Sequence, residues 1–427
     1  MPASRSRVTH VVEGLLNKFK SLDALRKRFE PLTEPPPAPI PRNLHWSKKE
    51  RDNRIQYLST LGINTSYLSG EKPTEDFEAL RGNIENFVGF SKVPTGIAGP
   101  LRVCGLHAHG DYFIPLATSE GALVASIQRG CRAITESGGC KTATVMESVS
   151  RAPVFIFESL VDASLFCQWA TQQFDECTKI VGRKSKHGRL LDIQPAVIGN
   201  QAHLIFSYST GDASGQNMVT ICTEACCEYF LKAAPVPPTS WFIEGNLSGD
   251  KKPTAISFLS ARGKKVIAEV ELSRETVRKT LNTTPEKIFE YWKTSFVGGV
   301  QSGSIGVSGH YANPLAAIYL ACGQDVACVA ESCVGITVCE VKRDGNFYIS
   351  VTLPNLIVGT VGGGCSLPTQ RECLEILGCY GENKAKVFAE ICAGAVLAGE
   401  ISISAALASG DFTRAHRVFG RKPRALK

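Results

Sequence analysis

Two acidic residues lie in otherwise apolar or small-residue stretches of the chain, where a charge needs a reason. Glu120 lies in ATSEGALVAS, at the start of a predicted helix. The dipole of a helix N-terminus favours an acid there even without a functional role. Asp325 lies in ACGQDVACVA, inside a predicted buried helix. A buried carboxylate without a partner is costly, so Asp325 needs one, either in a structural salt bridge or in a catalytic relay.

Basic residues of interest lie in a small-residue loop and in the C-terminal tail. Lys251 and Lys252 follow Asp250 in GNLSGDKKPTA. They are either solvated surface lysines or, because the loop has few bulky side chains, cations held against a ligand. His416 follows Gly410 in a basic tail. It is inert unless the tail folds over a site, where an imidazole moves protons near neutral pH.

Two loops have the composition of phosphate-binding segments. GTVGGG at 359–364 is rich in turn-forming glycine, whose backbone N–H groups bind phosphate well. No strict G-x-G-x-x-G occurs, so a Rossmann dinucleotide site is not supported. The basic loop GRKSKHGR at 182–189 either holds a phosphate monoester or is simply solvated, and its composition does not decide between the two.

Composition and charge narrow the class of protein. The chain has 427 residues, of which 43% are hydrophobic and 20% charged, as in an ordinary globular protein and not a disordered one. None of its 16 cysteines forms a C-x-x-C, which favours buried thiols in a reducing cytosol over zinc or disulfide sites. No apolar run is long enough to span a bilayer. The basic ends predict solvated termini, a weak nucleic-acid patch, or a flap that closes on a phosphate-bearing ligand.

The elements that must position these residues follow from periodicity and from helix-breaking residues. The proline-rich segment 31–42 predicts a stiff linker, which makes residues 1–42 an appendage. A helix is expected from near Ser119 to about Thr135, and another with Asn313 as its N-cap. Between 152 and 243 the order β-α-β-β-α predicts a split βαβ sheet with helices on one face. Residues 384–409 predict a helix that is apolar all round and therefore central.

Taken in order, seven segments resemble the 3-hydroxy-3-methylglutaryl-CoA reductase family, in its biosynthetic NADPH-using class. They cover about 85–425: ENFVGFSKVPTGIAGPL, PLATSEGALVAS with RGCRAI, GDASGQNM, GNLSGDKKPTAI, HYANPLAAIYLACGQD, GTVGGG and LASGDFTRAHR. Each segment alone is a weak signal, and the specificity comes from their number and order.

The resemblance implies an α+β fold with a large domain around a long central helix and an inserted ferredoxin-like NADP-binding domain. The implied parts are an N-terminal extension and linker (1–42), a small helical region (43–85), a large CoA- and substrate-binding domain (86–150 and 253–427), the inserted domain (151–243) and a connecting substrate loop (244–252). It also implies a soluble cytoplasmic protein, with organelle targeting left open, and a dimer or tetramer. In such an assembly the lysine loop faces the glutamate and aspartate of another subunit.

The resemblance assigns a role to each candidate catalytic residue. Lys251 would stabilise the oxyanion formed by hydride transfer, Glu120 would donate a proton at the mevaldehyde stage, and Asp325 would lie between these two. His416 would protonate the departing CoA thiolate. The implied substrate-binding residues are Arg151, Asp250, Lys252 and Asn313. The implied NADPH-binding residues are Ser185, Lys186, Asp212, Gly359, Gly362, Gly363, Gly364 and Arg421. No metal is expected.

The sequence also departs from the family pattern. Glu244 stands where a serine usually precedes Gly-Asn beside the substrate carboxylate, and a second negative charge there should weaken binding unless it is paired or points away. Ser214 and Gln216 stand where methionines are common, and Lys422 stands where many eukaryotic members have a phosphorylatable serine. These changes suggest a diverged, inhibitor-resistant copy. The competing hypotheses are a catalytically silent CoA or nucleotide binder and, from charge alone, a nucleic-acid binder.

Overall fold

The structure is a computed structural model that describes residue 13 and residues 18–41 and 46–414. His416, Arg421 and Lys422 therefore lie outside the described residues. Among the described residues, the N-terminal part includes the helices α1 (Leu22–Arg28), α2 (Lys48–Thr60) and α3 (Ser66–Ser69), and a 3₁₀ turn at Glu78–Leu80. The proline-rich residues 31–41 form neither helix nor strand, as predicted.

The described part of the N-terminal segment is docked on the rest of the chain. Lys18 Nζ donates to the carbonyl of Leu106 at 2.8 Å, and Arg28 Nε donates to that of Gly105 at 2.9 Å. The Arg102 guanidinium reaches back to the carbonyl of Leu32 at 3.2 Å. Residues 18–32 are therefore in direct contact with β1 and the turn that follows it, and the division of the chain at residue 42 stays a prediction.

The large sheet has the strand order β2-β1-β3-β8-β10-β9. Its strands are β1 (Thr95–Gly105), β2 (His109–Ala117), β3 (Cys140–Arg151), β8 (Gly263–Leu272), β9 (Ile336–Val341) and β10 (Phe347–Leu356). The β1–β3 pair is parallel and the other pairs are antiparallel. Helices around it are α4 (Leu123–Glu136), α8 (Arg274–Leu281), α9 (Pro285–Gln301), α10 (Ala312–Ala321), α11 (Val329–Ser332) and α12 (Pro368–Ile376).

The inserted unit has the predicted β-α-β-β-α order, with its first helix broken at Gln173, and a short closing strand that the prediction did not include. Its elements are β4 (Val154–Ile156), α5 (Leu160–Gln172), α6 (Phe174–Lys184), β5 (Arg189–Ile198), β6 (Gln201–Ser209), α7 (Gln216–Ala233) and β7 (Ser240–Phe242). The antiparallel order β7-β4-β6-β5 is that of a ferredoxin-like sheet. The end of β3 also pairs with β6 at Val149–Arg151, so one strand belongs to both sheets. Arg151 thus lies where the two units join.

The long central helix is confirmed as α13 (Ala385–Ser409), which ends at left-handed Gly410. Close packing explains its small side chains: a Cβ on Gly130 of α4 would lie 1.9 Å from the carbonyl oxygen of Ala398. Within the described chain, α13 alone is long and apolar enough to cross a membrane, but 83% of its most apolar window is buried in the protein. It is therefore a core helix.

The prediction that the cysteines are buried thiols is confirmed. All 16 cysteines, which lie between 104 and 392, are free, and all are buried except half-buried Cys333.

Candidate active site

The ammonium group of Lys251 is paired with a carboxylate of the same chain. Lys251 Nζ lies 2.8 Å from Asp325 Oδ2, and the two side chains are 44% and 40% exposed. The hydrogen bond to Asp325, opposed by partial burial, raises the pKa of Lys251. Partial burial favours protonation of Asp325, but the hydrogen bond and charge of Lys251 outweigh it and lower the pKa of Asp325. The pair is therefore an ammonium and a carboxylate, open to solvent on one side.

Asp325 does not lie inside a buried helix, contrary to the sequence prediction. Helix α10 ends at Ala321, and Gly323 takes a left-handed φ of 67°. Asp325 then caps a 3₁₀ turn at Val326–Cys328, where its Oδ1 accepts from the N–H of Ala327 at 3.1 Å. The glycine breaks the helix, which leaves the carboxylate exposed and free to reach the lysine.

Glu120 forms a second polar pair, with Asn313. Asn313 Nδ2 donates to both carboxylate oxygens of Glu120, at 3.1 and 2.9 Å. Asn313 is not the predicted N-cap, because α10 begins one residue earlier, at Ala312. Its side-chain amide is therefore available to the carboxylate and fixes its orientation.

Glu120 also lies outside the helix that was expected to contain it. Helix α4 starts at Leu123, after Ala122 with φ of 73°. The N–H of Glu120 donates instead to Thr118 Oγ1 at 2.9 Å. The argument from the helix dipole does not apply, since the carboxylate precedes the first turn of α4 and accepts its hydrogen bonds from the Asn313 amide.

A cavity of about 520 Å³ opens beside the Glu120–Asn313 pair. Its wall is mixed: Arg129 and His310 provide polar groups, and Ile403 and Leu407 of α13 provide apolar ones. Buried Glu400 of α13 fixes two of the lining residues by accepting from the N–H groups of Gly309 and His310 at 2.8–3.0 Å. A cavity of this volume, with apolar walls and a few polar groups, is typical of small-molecule sites.

The two polar pairs are not joined in the single chain. In the described part, no hydrogen bond or ion pair links Lys251 or Asp325 to Glu120 or Asn313, and the cavity is not lined by Lys251. The resemblance implied a lysine that faces the aspartate of another subunit, whereas here it faces Asp325 of its own chain.

Arg151 lies between two carboxylates. Its Nη1 is 3.1 Å from Asp250 Oδ2 and 3.3 Å from Glu244 Oε2. Glu244 also accepts from Ser248 Oγ at 3.0 Å and, through Oε1, from the N–H of Asn246 at 2.7 Å. Glu244 is therefore paired, as its negative charge requires at this position. Its partner, however, is Arg151, which is itself predicted to bind the substrate.

Two functional candidates, Arg262 and Glu331, were not found from the sequence. Arg262 Nη1 lies 2.5 and 2.6 Å from the two oxygens of Glu331, and its Nη2 lies 2.8 Å from Asp250 Oδ1. Glu331 Oε1 also accepts from the backbone N–H of Lys251 at 3.1 Å. The signal available was a lone acid in the apolar stretch VACVAESC. Lys252 stays exposed and donates to the carbonyl of Asp250 at 3.0 Å.

Asp212, which is predicted to bind the cofactor, makes its hydrogen bonds with backbone groups of the protein. Its carboxylate accepts from the N–H groups of Asn383, Lys384 and Ala385 at 2.7–3.1 Å, and so caps the central helix α13. A carboxylate at a helix N-terminus is a strong cap. The aspartate thus ties the inserted unit to the large one, and contact with a cofactor stays a prediction for it.

The four glycines of the predicted cofactor loop fall into two kinds. A Cβ on Gly359 would lie 2.6 Å from Ser214 N, and one on Gly364 would lie 2.5 Å from Gly323 O, so close packing requires these two. Gly362 and Gly363 have φ of 72° and 52° with open space around them. Only these two offer a bare, accessible backbone.

The remaining described cofactor candidates lie near the start of α7. Ser185 Oγ accepts from the N–H of Gly188 at 2.9 Å and lies 3.1 Å from Met218 Sδ in the first turn of α7, while Lys186 is exposed. A cation and a hydroxyl beside the N-terminus of an 18-residue helix suit a phosphate group. The described residues contain no group of His, Cys, Asp and Glu that could hold a metal ion.

Comparison with known proteins identifies relatives over most of the chain. Residues 49–421 match the family model described as hydroxymethylglutaryl-coenzyme A reductase. The 3-hydroxy-3-methylglutaryl-coenzyme A reductase of Methanocaldococcus jannaschii is 43% identical over 366 residues, 84% of this chain and 90% of the relative. That of Pyrococcus horikoshii is 45% identical over 369 residues, 84% and 89% of the two chains.

Solved structures share the fold. The class II 3-hydroxy-3-methylglutaryl-CoA reductase of Streptococcus pneumoniae, bound to NADPH in open conformations, superposes with a TM-score of 0.67 at 17% identity. The match covers 84% of this chain and 97% of that one. At this identity the likeness supports the α+β architecture with its inserted ferredoxin-like unit.

Proposed function

Because this chain belongs to the hydroxymethylglutaryl-coenzyme A reductase family, we propose that it reduces 3-hydroxy-3-methylglutaryl-CoA to mevalonate and free CoA, a step towards isoprenoids. The observation that carries the proposal is the Lys251–Asp325 pair, a fixed ammonium group beside an open face. Conversion of a thioester to a primary alcohol and a thiol consumes two hydrides and two protons from NADPH and solvent, so two NADPH are used per mevalonate.

The proposed cofactor is NADPH, which when bound supplies hydride for both reductions. The exposed Lys186, the Ser185 turn and the N-terminus of α7 fit its phosphate groups, and the open backbone of Gly362 and Gly363 fits a close approach. Arg421, outside the described residues, is proposed to join Lys186 at the 2′-phosphate. The loops that hold this NADPH-binding surface in place are then proposed to include Asp212, Gly359 and Gly364.

Lys251 is the proposed electrostatic catalyst. Reduction of the thioester carbonyl places negative charge on its oxygen, and a cation fixed at that point stabilises the charge more than it stabilises the neutral carbonyl. Asp325 keeps the lysine protonated, because it raises the pKa of the ammonium group. Arg151, Asp250 and Lys252 are the proposed contacts for the hydroxymethylglutaryl group.

Proton supply is assigned to Glu120 and His416. Glu120 would deliver a proton to the alkoxide formed at the aldehyde stage, oriented by the amide of Asn313. His416 would protonate the CoA thiolate when the first tetrahedral species collapses. Replacing it with glutamine should slow reduction of the thioester and leave reduction of free mevaldehyde intact.

We further propose that the enzyme is a homo-oligomer with the complete site formed between subunits. Glu120 and Lys251 form no hydrogen bond or ion pair with each other within one chain. Residues 87–90 also leave apolar side chains uncovered, since Val88 is 100% exposed and Phe90 is 50% exposed. Phe90 packs on Phe87, which in turn packs on Phe77. A second copy would both bury these side chains and bring the two polar pairs together. The free thiols suit a reducing compartment, for which the cytoplasm is proposed.

A specialised role as an inhibitor-resistant copy rests on Glu244. Its carboxylate already occupies Arg151, so a ligand with a terminal carboxylate must compete with it. Weak inhibition by hydroxymethylglutarate mimics is expected. Ordinary inhibition would leave a housekeeping reductase.

The deciding experiment is steady-state NADPH oxidation with the CoA thioester, followed by detection of mevalonate and free thiol in a 1:1 ratio. Two NADPH consumed per thiol is the expected result. CoA binding without turnover would favour the silent nucleotide-binding alternative instead.

A further inference from the structure

We propose that Arg262 and Glu331 are positioning residues, which hold the backbone of Lys251 in its left-handed conformation and couple it through Gln216 to the inserted unit. The proposal rests on the proposed function, in which the Lys251 ammonium stabilises the oxyanion. Neither residue needs to touch the substrate.

The backbone of Lys251 requires such support. Its φ is 56°, in a region that residues other than glycine adopt at a cost. The loop around it is poor in bulky side chains, with Gly249 two residues earlier, so packing of side chains alone does not fix it. The N–H of Lys251 donates to Glu331 Oε1 at 3.1 Å, which fixes the orientation of the 250–251 peptide.

The acceptor is itself rigidly held. Glu331 is 0% exposed, and Arg262 at 3% exposure contacts both of its oxygens. Burial raises the pKa of Glu331, and the guanidinium of Arg262 opposes that effect. A buried carboxylate depends on its cationic partner, and Arg262 Nη1 contacts both oxygens of Glu331, so the two residues form one unit.

The Arg262 guanidinium fixes the residues on both sides of the 250–251 peptide bond. Arg262 holds Asp250 directly, through Nη2 and Oδ1 at 2.8 Å, and holds Lys251 through Glu331. The segment 325–331 contacts Lys251 at both ends of its side chain: Asp325 forms an ion pair with Nζ, and Glu331 accepts a hydrogen bond from the backbone N–H. Rotation about the lysine backbone would move Nζ away from Asp325.

Gln216 extends the network into the inserted unit. Its Oε1 accepts from Arg262 Nη2 at 2.7 Å, and it is the first residue of α7. The same helix start carries the proposed phosphate site. A change in the position of α7 would therefore shift Arg262, which helps to fix the orientation of the 250–251 peptide.

The test compares Glu331→Gln, Arg262→Lys and Gln216→Met with wild type under conditions where wild type turns over. Each should lower kcat about tenfold or more, because a small misplacement of a catalytic group is costly, while KM for the thioester stays within about threefold. Gln216→Glu keeps an oxygen acceptor and should restore kcat. Amide hydrogen exchange of the peptide containing Lys251 should be faster in the three impaired variants.

Glu390→Gln is the matched control. Glu390 is also 0% exposed, but it accepts from the N–H groups of His107, Ala108 and Thr144, away from this network. It should lose stability and keep kcat and the exchange rate at Lys251. Folded variants with wild-type kcat and exchange would overturn the proposal. Should Glu331→Gln not fold, Arg262→Lys and Gln216→Met decide by the same criteria. An inactive wild type would instead count against the proposed function, while the exchange data still report on the network.

Discussion

Lys251 Nζ lies 2.8 Å from Asp325 Oδ2, and both side chains remain about two-fifths exposed. An ion pair this exposed contributes little to the free energy of unfolding. Its effect is local: it fixes a positive charge at one point of a surface that is open to a ligand. The pair can therefore be altered with a large effect on rate and a small one on stability.

Lys251→Ala should lower kcat by about a hundred- to a thousandfold, the usual cost of removing one oxyanion donor. Its thermal unfolding should match that of wild type. Lys279→Ala, which removes an exposed lysine paired with Glu275 on α8, is the control for loss of one positive charge. Full turnover in Lys251→Ala would end the oxyanion assignment.

Asp325→Asn should move the basic limb of the pH–rate profile to lower pH. The carboxylate raises the pKa of Lys251, while partial burial acts in the opposite direction. Without the negative charge the ammonium group loses its proton at a lower pH, and activity falls earlier on the alkaline side. A basic limb that stays in place, measured on the residual activity, would show that Lys251 does not control it.

Much of the fold follows from local sequence. Small apolar residues predict the central helix α13, and alternating periodicity predicts the β-α-β-β-α part of the inserted unit. The closing strand β7, at three residues, is too short to show a periodicity. The start of α4 was misplaced because Ala122 adopts a left-handed conformation that its residue type does not signal. Asp325 was misplaced although Gly323 marks the end of the helix. Arg262 and Glu331 were missed because a buried ion pair between residues 69 positions apart leaves no local pattern.

Glu244→Ser should free Arg151 for a ligand carboxylate. The expected result is a lower KM for the thioester and tighter inhibition by hydroxymethylglutarate mimics, each by about tenfold, as for loss of one competing charged hydrogen bond. Glu244→Gln keeps the shape without the charge and separates charge from size. Unchanged inhibition in both variants would show that Glu244 does not limit access to Arg151.

Asn313→Asp should impair turnover by about a hundredfold, because it replaces an amide donor with a carboxylate against Glu120. Asn313→Ser retains a donor and should be milder. The kinetic comparison uses free mevaldehyde, where the role of Glu120 is proposed. Equal activity of the two variants would argue against a role for the Asn313 amide in orienting the acid.

The free energy of unfolding should fall in acid because of His107. Burial, reinforced by the charge of Lys18, lowers the pKa of His107 from 6.5 to about 3. Its Nδ1 lies 3.2 Å from the Lys18 ammonium group, which a protonated ring would repel. The folded state binds fewer protons than the unfolded state between these pH values, so the contribution of His107 to stability is complete above pH 6.5 and is lost progressively towards pH 3.

His107→Gln should flatten the pH dependence of the free energy of unfolding, measured with denaturant, by the order of 3 kcal/mol across that window. His187→Gln, in an exposed loop, is the control, and an identical pH dependence in His107→Gln and wild type would contradict the assignment.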